Sequence, residues 1–156
     1  MAKLYEEKNL HFEKKENGDF TNILERYMKD AQSEKGALLC ALIRGKVSEG
    51  LDFSHKKCRA VILVGVPYPH SKDVKVLAKK KYLDHLNSKG ERSINGTQWY
   101  LAETIRAINQ GIGRLIRTPD DFGTVYLLDE RFSKPDIEAQ LASWARMNLS
   151  KPKSFN

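Results

Sequence analysis

Ala37-Leu38-Leu39-Cys40-Ala41-Leu42-Ile43 is a short, unbroken apolar run. Its length and its lack of alternation predict a strand buried on both faces of a sheet. Two more runs of the same kind follow: Ala60-Val61-Ile62-Leu63-Val64, ended by Gly65, Pro67 and Pro69, and Thr124-Val125-Tyr126-Leu127-Leu128. Upstream, Phe20 to Gln32 reads as an amphipathic helix with Phe20, Ile23, Leu24, Tyr27, Met28 and Ala31 on one side. Before it, Leu4-Tyr5 reads as a short strand and residues 9–19 as a polar stretch with a turn at Asn17-Gly18-Asp19. Downstream come lysine-rich residues 72–87 and a polar stretch at 88–97. A long helix at 98–117 then carries Trp99, Ala102, Ile105, Ile108, Ile112 and Ile116 at three- and four-residue steps. A helix from Asp136 to Met147, apolar at Ile137, Leu141, Trp144 and Ala145, closes the pattern. Helices alternating with buried strands indicate an α/β layered domain with a mainly parallel sheet. Ligands of such sheets bind beyond the C-terminal strand ends, which directs attention to Arg44–Asp52, Pro67–Pro69 and Asp129–Phe132.

The charge is uneven. Residues 37–118 hold fifteen basic and six acidic groups, a net of +9, whereas the flanks at 1–36 and 119–156 are each at −1, giving +7 in all. A localised positive field favours phosphate-rich partners such as nucleic acid or nucleotides; a solvated basic surface is the plainer reading. No apolar run approaches the roughly 20 residues that span a bilayer, and the first residues carry no signal-peptide core. No membrane partner is expected. Cys40 and Cys58 have neither metal-ligand spacing nor a secreted context, so a reduced, intracellular setting is expected. The sequons Asn95-Gly96-Thr97 and Asn148-Leu149-Ser150 then read as incidental.

Two segments carry candidate chemistry. Gln110, Arg114 and Arg117 fall at i, i+4 and i+7 of the long helix and so share a face, with small Gly111 and Gly113 between them. Arginine offers a planar, permanently charged fork that matches phosphate oxygens. That face reads either as a polyphosphate contact or as a solvated basic surface. The second segment is Arg44-Gly45-Lys46-Val47-Ser48-Glu49-Gly50-Leu51-Asp52-Phe53, directly after the first apolar run. Glycines there let backbone N–H groups face a phosphodiester, and Ser48, Glu49 and Asp52 add short polar arms; an ordinary β–α turn is the alternative. It is not a Walker A loop, because Cys40 and Val47 stand where that motif needs Gly and Ser or Thr. The strand end Leu128-Asp129-Glu130 looks like a magnesium-binding element, but an ion pair with Arg131 explains it more simply. His55 and Cys58 fall short of a metal site, so none is expected.

The order of Arg44–Phe53, Gly65-Val66-Pro67-Tyr68-Pro69, Trp99-Tyr100 and Gln110–Arg117 closely resembles the C-terminal motor domain of the XPD-type superfamily-two DNA helicases, with a flavour nearer FANCJ or RTEL than XPD. The resemblance runs from about Lys3 to Leu149. Arg44–Phe53 is similar to helicase motif V and Gln110–Arg117 to motif VI. The resemblance implies a RecA-like, P-loop-NTPase-type layered domain over residues 1–149, with a tail at 150–156. It implies ATP and Mg2+ held between two motor domains that step along single-stranded or forked DNA in the nucleus, or in the cytoplasm of a prokaryote. By the same resemblance Arg114 and Arg117 are arginine fingers, and Gln110 couples nucleotide state to domain closure. Glu49, Asp52 and Gly113 lie on the nucleotide side, and Gly45, Lys46 and Ser48 near the DNA backbone.

The departures are as informative. The Walker A loop, the DEAH box and the four cysteines of the iron–sulfur cluster belong to the first motor domain of the family, and the motif IV strand and helix lie upstream of the matched region. The expectation is therefore a partial second motor domain, inactive alone, that needs the first motor domain as a partner and carries the cluster only as part of a full-length enzyme. A non-catalytic basic module that binds nucleic acid or protein is the alternative.

Overall fold

The computed structural model describes residues 2–13, 20–45, 53, 57–90, 94–116, 118 and 120–151. The elements are α1 (Ala2–Glu7), β1 (Asn9–Phe12), α2 (Phe20–Asp30), β2 (Ala37–Cys40), β3 (Ala60–Val64), α3 (Val74–Ser88), α4 (Gly96–Ile112), β4 (Thr124–Leu128), a 3-10 turn (Glu130–Ser133), α5 (Pro135–Glu138) and α6 (Ser143–Met147). The α/β expectation holds, with the strands in two parallel pairs. β1 and β2 run parallel in the register Asn9 opposite Ala37 to Phe12 opposite Cys40. β3 and β4 form the second pair. There, Thr124 N–H donates to Arg59 O at 3.0 Å and Gly65 N–H to Leu128 O at 3.3 Å. The strand starts meet and the strand ends meet, which is the parallel sense.

Contacts divide the chain into two compact units, Met1–Val61 with Gln110–Tyr126, and Ile62–Asn109 with Leu127–Asn156. In the first, α2 packs on β1 and β2. Its apolar side carries buried Tyr27 with half-buried Ile23, Leu24 and Met28, while Thr21, Asn22, Glu25, Arg26 and Lys29 face out. His11, Tyr27 and Phe53 make an edge-to-face chain, with centroids 5.9 and 5.8 Å apart. Such pairs add to plain burial of area. Tyr27 Oη donates to Lys57 O at 2.7 Å, so the one polar atom of this core residue is satisfied. The second unit centres on Leu63, Val66, Leu83, Ile105, Ile108, Phe132, Ile137 and Leu141, all buried. Thr104, buried among them, donates to Tyr100 O at 2.9 Å.

Three expectations are corrected, and one stretch left without an assignment gains one. Leu4-Tyr5 lies in α1 and not in a strand, and the polar stretch after it contains β1. The apolar runs are not buried on both faces: β3 and β4 alternate, and Val64 is 78% exposed. The lysine-rich stretch holds α3, capped by Asp73, whose carboxylate accepts from Lys75 N at 2.7 Å and Val76 N at 3.3 Å. The closing helix is broken in two. Asn109 donates its Nδ2 to Gln140 O at 3.1 Å and accepts Ala142 N–H on its Oδ1 at 2.8 Å. One amide thus supplies the partners that a continuous helix would have supplied from its own backbone.

Candidate functional site

The first unit contains both candidate segments: the turn after β2 and the end of α4. The turn is built by parallel pairing. Past β1, Glu13 N–H donates to Cys40 O at 2.9 Å and extends the ladder by one rung. The Glu13 side chain then crosses to the turn, where its Oε2 accepts Leu42 N–H at 2.9 Å. Gly45 N–H closes the turn onto Leu42 O at 2.9 Å. Arg44 sits at φ 72°, a left-handed conformation uncommon for a residue with a Cβ and enriched where structure serves function. Gly45 is pressed against the carboxylate. A Cβ there would stand 2.7 Å from both Glu13 oxygens and 2.9 Å from Leu42 O. Lys46, Ser48, Glu49 and Asp52 lie outside the described residues. The segment ends at Phe53, buried against Tyr27.

At the other segment the structure corrects the helical reading. α4 ends at Ile112. Arg114 N–H then bonds Gly111 O at 3.3 Å and Leu115 N–H bonds Ile112 O at 3.1 Å, which are three-residue links of a tightening turn. Two glycines in three positions, each costing a helix about 1 kcal/mol against alanine, account for the early stop. Gln110 is therefore exposed on the last turn of α4, whereas Gly113 and Arg114 are half-buried in the turn beyond it. The shared helix face of Gln110 and Arg114 does not form, and Arg117 lies outside the described residues. Ile112 and Leu115, at 0% and 1% exposure, anchor the turn on both sides of Arg114.

The strand ends of the second unit carry a different arrangement. Asp129 and Arg131 form a two-pronged pair, with Nε to Oδ1 at 2.8 Å and Nη2 to Oδ2 at 2.6 Å, and Arg131 N–H also donates to Oδ1 at 2.9 Å. The Arg131 side-chain bonds, then its backbone N–H, hold the Asp129 carboxyl well below the usual carboxylate range. The ion-pair reading of this strand end is the correct one. Nearby, Tyr68 and Tyr100 stack with centroids 5.7 Å apart, and Tyr100 Oη donates to Pro69 O at 2.6 Å. Arg131 lies over the Tyr68 ring at 5.7 Å and Lys80 over the Tyr100 ring at 5.0 Å. Neither the stack nor the Glu13 bridge was read from the sequence. The pairing of Pro67-Tyr68-Pro69 with Trp99-Tyr100 was the available signal for the stack.

Among the described residues, no three His, Cys, Asp or Glu side chains group as a metal site. The chain's two cysteines cannot supply a four-cysteine cluster. No helix among the described residues is long and apolar enough to cross a membrane.

The sequence profile described as the helicase C-terminal domain matches residues 1–148. The chain is 39% identical over 154 residues to the regulator of telomere elongation helicase 1 homolog of Drosophila grimshawi, covering 98% of this chain and 16% of that protein. It is 40% identical over 151 residues to the homolog of Culex quinquefasciatus, covering 96% and 15%. With the Drosophila melanogaster homolog it shares 39% over 142 residues, covering 91% and 14%. The chain thus spans less than a fifth of the length of these relatives.

Proposed function

The chain belongs to the helicase C-terminal domain family, and from that premise we propose that it works as the second motor domain of an ATP-dependent DNA helicase. The observation that carries this reading is that the Leu42–Gly45 turn and the Gly111–Leu115 turn fall in one compact unit. In this reading one body of the protein supplies both a nucleic-acid-facing loop and a nucleotide-facing arginine, and their place in one unit supports it. In this reading residues 1–149 are the partial motor domain and 150–156 a tail. Arg114 and Arg117 are the fingers that stabilise charge developing on the transferred phosphoryl group. A half-buried arginine next to Gly111 and Gly113, which carry no side chains, supports that reading. Gln110 couples nucleotide state to closure, Gly113 gives the nucleotide its close approach, and Glu49 and Asp52 serve nucleotide binding. Gly45, Lys46 and Ser48 follow the backbone of single-stranded or forked DNA.

ATP supplies the phosphoryl group and Mg2+ its charge neutralisation, both shared with a first motor domain. This chain's part is to bind, orient and stabilise. It holds no Gly-x-x-x-x-Gly-Lys sequence to cradle phosphates, so it is inactive alone. An iron–sulfur cluster and the nuclear setting belong to the full-length enzyme. The test uses the chain by itself. It should hydrolyse no ATP and should bind oligothymidine with an affinity that falls as salt rises, the signature of counterion release from phosphates. ATP turnover by the chain alone, or binding indifferent to salt, would overturn this reading.

A further inference from the structure

We infer that Glu13 is a positioning residue for the DNA-facing loop: its carboxylate sets the Leu42–Gly45 turn with which that loop begins. The inference rests on the proposed DNA contact of that loop and adds to it a residue that no motif supplies.

Glu13 stands one rung beyond β1, tied by its own N–H to Cys40 O at 2.9 Å. The parallel register therefore fixes where its side chain starts. Leu42 N–H points past the end of β2, where the strand ladder has stopped, and the Glu13 Oε2 accepts it at 2.9 Å. A charged acceptor makes a stronger bond to a backbone N–H than a neutral one does. Gly45 then brings its backbone so near the carboxylate that a Cβ would come within 2.7 Å of both oxygens. Between Leu42 and Gly45, Arg44 adopts φ 72°, a conformation that costs free energy and persists where its surroundings impose it. One carboxylate thus bonds the turn at Leu42 and fills the space that a side chain at residue 45 would need, and Arg44 between them is the residue in the uncommon conformation. This is positioning by a strand end that lies far away in sequence, because β1 and β2 are neighbours only through the parallel pairing.

The experiment uses the helicase that contains this domain and measures ATP turnover against single-stranded DNA concentration, giving kcat and the half-saturating DNA concentration separately. Glu13→Ala should raise the half-saturating DNA concentration by about tenfold, the scale of losing one charge-assisted hydrogen bond, with kcat at saturation little changed. Glu13→Gln keeps an acceptor oxygen at the same reach and should restore most of the DNA response. A merely structural role would instead lower kcat through the active fraction and leave half-saturation where it was; that outcome overturns the inference. Gly45→Ala provides a second route. Its added methyl meets the carboxylate, so its effect should be smaller in the Glu13→Ala background than in the parent, and strict additivity would contradict the coupling. Lys46→Ala and Ser48→Ala separate the two levels. If they raise half-saturation and Glu13→Ala does not, only the Glu13 inference fails. If they leave it unchanged, the DNA reading of the loop fails and the Glu13 inference falls with it.

Discussion

Asn95 and Gln98 cap each other across the first turn of α4: Gln98 N–H donates to Asn95 Oδ1 at 2.8 Å, and Asn95 N–H donates to Gln98 Oε1 at 2.9 Å. This reciprocal box satisfies two backbone donors at the start of the helix that ends in the candidate nucleotide site. The Asn95-Gly96-Thr97 sequon therefore has a structural occupation for its asparagine. Asn95→Ala should destabilise the chain by about 1 kcal/mol, read as a lower urea midpoint, and Asn95→Asp should restore most of it. An unchanged midpoint in Asn95→Ala would show that the cap contributes nothing.

That box is legible in the sequence. Asn-x-x-Gln before an apolar-periodic run is a start signal, yet 88–97 reads as a polar linker when only its composition is weighed. Apolar spacing finds α2 and most of α4 because each buries one side, whereas β3 and β4 show as unbroken apolar runs that hide which face each leaves exposed. It missed α3 because that helix buries little: Leu83 is inside, while Val74, Leu77 and Tyr82 are exposed. It missed β1 because Asn9-Leu10-His11-Phe12 is too short to alternate convincingly, and its place is set by pairing with β2. It overran the end of α4 and the Asp136–Met147 helix for a shared reason. Spacing records which residues are apolar, whereas Gly111, Gly113 and the Asn109 amide decide where hydrogen bonding stops. At the candidate site the residue types were legible, but the helical face of Gln110 and Arg114 was not real, and Glu13 carried no signal in its own neighbourhood.

Burial pushes the Tyr27 phenol up to about 12, with Cys58 adding in the same sense. The unfolded chain releases this proton near 10. Between those values the fold binds a proton that the unfolded chain has lost, so the stabilisation is complete below about pH 10 and is lost as pH rises through about 12. Tyr27→Phe should cost about 1 kcal/mol at neutral pH, through loss of the bond to Lys57 O. It should also flatten the fall in stability across that alkaline window. A variant with the same alkaline slope as the parent would contradict the assignment.

The two cysteines should differ in reactivity. Cys40 is exposed, whereas burial pushes the half-buried Cys58 thiol up, and its Sγ donates to Ala60 O at 3.4 Å. The thiolate is the reactive form. Iodoacetamide under native conditions should therefore label Cys40 first, and Cys58 should catch up on unfolding. Mass spectrometry of partly labelled protein reads the order directly, and faster labelling of Cys58 would contradict the described packing.

The arginine finger proposed at the turn closing α4 is tested most directly by DNA-stimulated ATP turnover in the helicase that contains this domain. Arg114→Ala and Arg117→Ala should each lower turnover by about 10²-fold or more while ATP still binds, because a finger acts on the transition state and not on the ground state. Turnover within about a factor of two of the parent enzyme would contradict the account.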